Sequence, residues 1–390
     1  MPRFLKATTV VMLVTAAAGV FLAAPPAIAG TERIRKITML HARLDWVPAH
    51  TSAVFASPRV QTTANASIPT FSTTVHDGAS TFRYRMVGKN PFVAQTQPRT
   101  TAATTLIPIV VKFPNGDTWD PRVIDSCDSQ SALTRTLNSP IFVSHAWKFG
   151  GTAVGTGQYL DAFQRGEFYR QTKPTGINPG YHVTLAATTH APFVLNVPTS
   201  VAAESTTVCG THKLGAVDIN YLDSQIQRYI TGTLGSAATA TFPLFLLDNV
   251  VEYIDTPDSC CVLGYHNAIP NAGQMQTYGV SMYDNSGDFR GSADATVLSH
   301  EVGEWMNDPF VDNPTKPWGN VGQVSGCQGN LEVGDPLTGK SITDAINQKT
   351  YHLQELAFFS WFYHSSPSLG VNGWFSSNGS FTTSARPCTF

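Results

Sequence analysis

The residue types best suited to chemistry lie together in the segment 299–305, which reads SHEVGEW. If this segment is helical, His300 and Glu304 are one turn apart and project side by side. Two such side chains on a rigid helix can bind one divalent metal ion. Glu301 lies about 100° further round the helix and can reach a water molecule bound to that metal. The spacing therefore predicts metal ligands at His300 and Glu304 and a catalytic general base at Glu301.

The surrounding residues predict the helix itself, over 294–307. Leu298, Val302 and Trp305 recur at i, i+4 and i+7, which is typical of one buried helical face. Asp294 is an acidic residue at the start of this segment, and Pro309 lies just beyond its end, where a helix stops.

A simpler interpretation is that the acidic face of this helix is solvated and that His300 only pairs with Glu304. An acidic side chain near a helix C-terminus is disfavoured by the helix dipole, so Glu304 needs a positive partner. A metal ion would supply that charge, and both interpretations remain open at the level of the sequence.

A third metal ligand has to come from elsewhere, and the segment 329–336 (GNLEVGDP) is the best candidate. Glu332 is the predicted ligand. Asp335 is predicted to support the site from outside, as the acceptor for an N–H of His300, or else to act as a fourth ligand. Cys327, just upstream, could hold this loop through a disulfide. The alternative is a plain acidic turn.

These two segments resemble known families. The helix resembles that of the zincin metallopeptidases, with Glu304 where the second histidine stands. The pair HEVGE and EVGD is also similar to secreted bacterial proteins and to plant EXORDIUM-like, phosphate-induced extracellular proteins. The resemblance covers residues 290–340. It implies a twisted mixed sheet with an active-site helix, and one divalent ion, zinc, held by His300, Glu304 and Glu332. One histidine with two carboxylates is a harder ligand set than two histidines with one carboxylate.

Two functions follow from these observations. The first is a secreted metal-dependent hydrolase, a metallopeptidase that cleaves a peptide or protein substrate with a metal-bound water and Glu301 as general base. The second is a non-catalytic extracellular or cell-wall-associated protein whose metal site is structural or vestigial. Access distinguishes them, because a catalytic site keeps an open coordination position and a structural one is closed.

The first 29 residues have the pattern of a secretory signal peptide. Arg3 and Lys6 precede an apolar run over 7–24, and Ala27-Ile28-Ala29 is a small-x-small site with cleavage expected before Gly30. A retained membrane anchor is the alternative. No later segment has about 18 consecutive apolar residues, so we expect no membrane span in the mature chain. The expected location is extracellular or periplasmic.

Six cysteines in an exported chain predict three disulfides. Cys260 and Cys261 are adjacent, and a bond between neighbours is strained, so we expect each to pair with a different partner.

The composition restricts the class of protein. Of the 390 residues 42% are hydrophobic, and only 13% are charged, which is about half the usual ~25%. The net charge of -2 gives no basic excess that would neutralise phosphates, which argues against nucleic-acid binding. The apolar content argues against a disordered chain.

Strands mixed with a few helices predict an α/β or α+β fold. We expect a loosely structured Thr-, Ser- and Ala-rich N-terminal region over 30–100 and one zincin-like domain over 101–390. In the segment 351–363 we expect a core helix, with His352 as a spare ligand candidate. The other predicted elements are strands at 106–113, 181–197, 215–219, 242–254 and 276–283, and helices at 158–169 and 220–230.

Overall fold

Many strands and a few short helices follow one another along the described chain. The computed structural model describes residues 34–36, 39–43, 68–207, 209, 213–289 and 291–389. The signal peptide predicted over 1–29 lies outside the described residues. The helices are α1 (Ala132–Leu137), α2 (Tyr159–Glu167), α3 (Tyr169–Thr172), α4 (Ile219–Arg228), α5 (Thr296–Asn307) and α6 (Phe359–Phe362). The strands of the first half are β1 (Arg35–Lys36), β2 (Met39–Arg43), β3 (Thr70–Asp77), β4 (Ser80–Val87), β5 (Arg99–Lys112), β6 (Thr118–Trp119), β7 (His145–Phe149), β8 (Thr152–Gly157), β9 (His182–Thr189) and β10 (Phe193–Asn196). Those of the second half are β11 (Ala202–Thr206), β12 (Lys213–Asp218), β13 (Phe242–Asp248), β14 (Val250–Tyr253), β15 (Cys260–Val262), β16 (Gly264–Asn271), β17 (Gln274–Tyr283), β18 (Pro314–Val321), β19 (Val324–Asn330), β20 (Ser341–Ile346) and β21 (Lys349–Gln354).

A seven-stranded sheet carries the elements of the candidate site. Its main path runs β10-β5-β13-β17-β16, and β6 and β9 also pair with β5. The pairs β5/β13 and β13/β17 are parallel, whereas β16 is antiparallel to β17. A six-stranded sheet has the order β1-β11-β12-β14-β15-β2. The fold is therefore mixed α/β, as the sequence predicts. The zincin-like arrangement stays a prediction.

Both faces of the seven-stranded sheet are covered. Along β13, Leu244 and Leu246 belong to one apolar core, whereas Phe245 and Leu247 belong to another. Successive side chains of a strand point to opposite faces, so each face has its own core. This explains why the segment is apolar at nearly every position and does not alternate.

Helix α5 is buried along its whole length, close to the bounds that the sequence predicts. Leu298 and Val302 belong to the same core as Leu244. The ring of Trp305 stacks on Phe242 at 3.8 Å between centroids, and its Nε1 donates to Thr277 Oγ1 over 3.0 Å. These contacts fix both the depth and the rotation of the helix on the sheet.

Two segments fold differently from the sequence-based prediction. The segment 242–254 is not one strand but two, β13 and β14, which belong to different sheets. Asn249 separates them with φ 49°, and asparagine tolerates this left-handed conformation better than most residues. The core helix predicted over 351–363 is also wrong. Its first residues form β21, in which Tyr351 and Leu353 are buried on one face, and only Phe359–Phe362 is helical.

Within the predicted N-terminal region, residues 70–87 form a regular hairpin. Strands β3 and β4 pair from Thr70 to Val87, and Tyr84 and Met86 are buried in the core that also contains α5. The ring of Tyr84 packs 4.9 Å from that of Phe359. Residues 68–100 thus share a core with the rest of the chain.

The three predicted disulfides are present, and the described chain has no free cysteine. Cys127 pairs with Cys209, and Cys327 with Cys388, which holds the strand just before the acidic segment. The expectation that Cys260 and Cys261 have different partners is wrong, because they bond to each other.

None of the helices in the described residues has the length and apolar character that a membrane span requires.

Candidate metal centre

The pair predicted from helical spacing is formed. His300 Nε2 lies 3.1 Å from Glu304 Oε2, and both side chains have no exposed surface. Glu301, between them in sequence, is equally buried. Helix α5 therefore presents an imidazole and two carboxylates inside the protein.

The acidic segment after β19 closes over these side chains. The backbone N–H groups of Gly334 and Asp335 both donate to Glu304 Oε1, over 3.0 and 3.3 Å. Asp335 Oδ1 lies 3.8 Å from His300 Nε2. The amide of Gln328 donates to Asp335 Oδ2 over 2.7 Å, and that of Gln323 donates to Oδ1. His300, Glu304 and Asp335 offer donor atoms that all lie within 4.8 Å of one another.

Gln354, at the end of β21, fixes the orientation of His300. Its Nε2 donates to Gly334 O over 2.5 Å, so its Oε1 faces His300 Nδ1 at 3.0 Å as an acceptor. The proton of His300 is thereby on Nδ1, and the lone pair on Nε2 points towards Glu304 and Asp335. The hydrogen bond that the sequence suggested between a His300 N–H and Asp335 is made to Gln354.

Gly334 has to be a glycine for steric reasons. A Cβ atom at this position would lie 2.4 Å from His300 Nδ1 and 2.6 Å from two further ring atoms. The backbone of the acidic segment can therefore lie against the imidazole only because residue 334 has no side chain.

The edge strand β16 contributes His266, a residue that was not predicted from the sequence. Gly264 and His266 are two residues apart and so face the same side, towards α5. A Cβ on Gly264 would lie 3.1 Å from Glu301 Cγ, so the glycine lets the helix approach. His266 Nδ1 lies 3.6 Å from Glu301 Oε2 and 3.7 Å from Glu304 Oε2.

His266, Glu301 and Glu304 form a second group whose donor atoms lie within 4.8 Å of one another. A lone histidine 34 positions before His300 has no spacing signal, and only the folding of β16 against α5 brings it there.

Glu332, the predicted third ligand, belongs to neither of these two groups. Its Oε1 accepts from Asn330 Nδ2 over 2.6 Å, and its Oε2 lies 3.9 Å from His266 Nε2. Its role as a ligand stays a prediction. His352, the spare candidate, pairs with Asp294 at 2.7 Å near the start of α5.

Burial dominates the electrostatics of the centre. It raises the pKa of Glu304 and of Glu332 well above their usual range, and neighbouring carboxylates raise both further. Burial lowers the pKa of His300 and lowers that of His266 to about 4. Both imidazoles are therefore neutral at pH 7 and offer a lone pair. Burial disfavours the ionised form of the carboxylates beside them, and a bound cation would offset that cost.

Three polar atoms support the fit of a metal ion. His300 Nε2, Glu304 Oε2 and Glu332 Oε2 are buried and have no hydrogen-bond partner among the described residues. An unpaired buried polar atom costs about 1–3 kcal/mol, and more when it is charged. Imidazole nitrogen and carboxylate oxygen are both ligands of divalent metals, so the donor set fits such an ion.

Comparisons with protein-family models, with curated proteins and with solved structures give no match for this chain. The resemblance to zincins and to EXORDIUM-like proteins consequently remains a prediction from the two motifs.

Proposed function

We propose that this protein is a secreted metal-dependent hydrolase, a metallopeptidase that acts on peptide or protein substrates. The observation that carries the proposal is the cluster on α5 and the segment after β19. There, unpaired buried donors of His300 and Glu304 face Asp335, and a further carboxylate, Glu301, lies beside them. Ligands plus a neighbouring carboxylate are what metal-assisted hydrolysis requires.

Each residue has a distinct task in this proposal. His300, Glu304 and Asp335 hold the ion, because their donor atoms form one group. A bound divalent ion, for which we propose zinc, supplies Lewis acidity that polarises a carbonyl and acidifies a water molecule. Glu301 accepts a proton from that water and passes it to the leaving amine. Gln354 keeps the proton of His300 on Nδ1.

The proposed secretion draws on two features. The sequence of residues 1–29 has the signal-peptide pattern, and three disulfides are compatible with an oxidising compartment. Amino-terminal sequencing of exported protein tests it. We expect Gly30 as the first residue, and an uncleaved exported chain would contradict cleavage.

One observation favours the second function, a non-catalytic extracellular protein with a structural metal site. His300, Glu301 and Glu304 have 0% exposed surface, Glu332 1% and Asp335 2%. A closed centre of this kind is typical of structural ions, whereas a catalytic ion needs a coordination position that substrate can reach.

The variant Glu301→Gln separates the two functions. In a hydrolase it retains the ion held by His300, because the base contacts the water, and it loses at least about 100-fold in kcat. The measurements are metal content and cleavage of fluorescein-labelled casein. Glu167→Gln is the matched control, since Glu167 is also fully buried but lies on α2, outside the centre.

Wild-type protein that has bound one equivalent of metal and cleaves no peptide would support the structural site and contradict the hydrolase. Equal activity of Glu301→Gln and wild type would contradict the role of Glu301 as base.

A further inference from the structure

The centre contains two donor groups that have only Glu304 in common. One consists of His300, Glu304 and Asp335, and the other of His266, Glu301 and Glu304. The proposed hydrolase needs a single ion and uses the first group. The second group has no task as a set of ligands in that proposal.

The imidazole of His266 is prepared to act as a ligand. Its Nε2 lies 3.1 Å from the carbonyl oxygen of Asp308, which can only accept a hydrogen bond, so the proton is on Nε2. The lone pair is therefore on Nδ1, the atom that faces Glu301 and Glu304. The position of Asp308 is itself fixed, because its carboxylate accepts from the backbone N–H groups of Asp312 and Asn313.

The distances suit a small divalent ion. Ligands about 2.1 Å from a tetrahedral ion are about 3.4 Å from one another. His266 Nδ1 is 3.6 Å from Glu301 Oε2 and 3.7 Å from Glu304 Oε2, so a small inward adjustment closes the set around an ion.

Glu304 is placed to serve both groups. Its Oε1 accepts from two backbone N–H groups, which fixes the carboxylate. Its Oε2 has no hydrogen bond and faces His300 Nε2 at 3.1 Å and His266 Nδ1 at 3.7 Å. A carboxylate between two imidazoles of this kind resembles the shared ligand of two-metal sites, whose ions are about 3.5–4 Å apart.

Charge supports the same conclusion. The two groups and the adjacent Glu332 together contain four carboxylates, at Glu301, Glu304, Glu332 and Asp335, gathered in one buried cluster. One divalent ion would balance half of their full charge, and two would balance all of it.

We propose that His266, Glu301 and Glu304 form a second divalent-metal position and that the carboxylate of Glu304 bridges two ions. The first position is the one that the proposed function uses. The second ion takes the carboxylate that this function needs as a base, so it inhibits hydrolysis; this last consequence rests on the proposed function.

The test is metal stoichiometry of the full chain after chelation and reloading with Zn²⁺ or with Mn²⁺, measured by equilibrium dialysis with elemental analysis. We expect two ions per chain in the wild type and one in His266→Ala. His266→Gln, which can still donate to the Asp308 carbonyl, is a second variant that protects the local fold, and it should also bind one. His190→Ala, outside the centre, is the matched control and should bind two.

Electron paramagnetic resonance of the Mn²⁺-loaded protein detects magnetic coupling between two neighbouring ions. Substitution of His266 would not remove this coupling if the role of His266 were only structural. Two ions that share Glu304 give a spin-coupled signal in the wild type, and His266→Ala gives the signal of an isolated ion. One ion per chain in the saturated wild type, or two in both His266 variants, would overturn the proposal.

Activity distinguishes failure of this proposal from failure of the proposed function. Casein cleavage should rise with the first equivalent of Zn²⁺ and fall with the second, whereas His266→Gln should not show the fall. Binding of two ions with no cleavage at any point of the titration, including after the first equivalent, would contradict the hydrolase and leave the second position supported. Cleavage that stays constant through the second equivalent would contradict inhibition.

Discussion

Gln354 and Gly334 hold the imidazole of His300 from two sides. The side chain of Gln354 accepts from Nδ1 and donates to the carbonyl of Gly334, and the missing Cβ of Gly334 leaves room for the ring. Neither residue is assigned as a metal ligand. Gln354 lies outside both predicted segments, and Gly334 had no predicted role of its own within 329–336. They matter because a ligand that is held in one orientation and one tautomer loses less freedom when it binds.

Gln354→Ala should therefore weaken metal binding about 10–100-fold without abolishing it, because His300 loses the acceptor that orients it. The measurement is the Kd for Zn²⁺ by competition with a chelator of known affinity. Gln164→Ala is the control, since Gln164 is also fully buried but lies on α2. An unchanged Kd in Gln354→Ala would refute the positioning role.

The third ligand is decided by comparing two isosteric variants. Asp335→Asn should lose more than about 100-fold in affinity for the first ion, because Asp335 shares a donor group with His300 and Glu304. Glu332→Gln should lose less, because its Oε2 lies beside His266 instead. The same chelator competition measures both. A larger loss in Glu332→Gln would instead support the assignment made from the sequence.

At the scale of elements, α5 was predictable and its partners were not. The period of Leu298, Val302 and Trp305 depends only on local sequence, and this alone places His300 beside Glu304. Strand β16 is placed by its register with β17, where His266 lies opposite Gly279, and nothing near residue 266 encodes that pairing.

Strand β21 illustrates a different error. The apolar content of 351–363 suggested a helix, although Tyr351 and Leu353 alternate with His352 in the period of a strand. Interpreting that alternation correctly would have placed Gln354 at a strand end. The Asp248-Asn249 pair is likewise a turn signal within 242–254 that the apolar run concealed.

The close approach of the 332–335 segment to α5 gives a prediction about these elements. Gly334→Ala should push the segment away from His300, because the added methyl group would lie 2.4 Å from Nδ1. Both the metal affinity and the thermal stability should fall. Gly339→Ala is not an adequate control, because Gly339 has φ 79°, whereas Gly329→Ala is suitable, since its nearest neighbour is 3.6 Å away. Wild-type affinity in Gly334→Ala would show that the contact is not needed.

For the molecule as a whole, several of the few charged side chains are carboxylates that are fully buried. Glu252 on β14 is one that lies outside the metal centre. It has 0% exposed surface, and neither carboxylate oxygen has a hydrogen-bond partner among the described residues. Burial raises its pKa well above the usual range.

The sign of the resulting pH dependence follows from linkage. The folded state holds the proton of Glu252 more tightly than the unfolded state, so stability falls as pH rises from about 4.3, the unfolded value, through the raised folded pKa. Glu252→Gln should remove that fall, and the variant should gain stability relative to wild type between pH 5 and pH 7. Urea unfolding at both pH values measures it. Parallel changes in the two proteins would show that Glu252 contributes nothing to the pH dependence.

The metal centre is built from four parts of the chain that are far apart in sequence. One buried cluster contains residues from β16, α5, the 332–335 segment and β21. The Cys327–Cys388 disulfide holds β19, the strand whose Gln328 donates a hydrogen bond to Asp335. The sequence predicts the helix, the acidic segment and the disulfide count from local patterns. It does not predict His266 or Gln354, because their contributions depend on strand pairing over long separations.

The central claim is that this cluster binds a divalent metal through His300 and Glu304. The most direct measurement is the metal content, by elemental analysis, of wild type, His300→Ala, Glu304→Ala, Glu301→Gln and the control Glu167→Gln after incubation with Zn²⁺, Mn²⁺ and Ca²⁺ and removal of free ions. We predict that wild type and Glu167→Gln bind the same number of ions and that Glu301→Gln keeps at least one. His300→Ala should bind one ion fewer than wild type, because it loses the first position, and Glu304→Ala should bind none, because Glu304 belongs to both donor groups. Wild-type protein that stays metal-free with all three ions would contradict the account, as would a His300→Ala variant that binds as many ions as wild type or a Glu304→Ala variant that binds any.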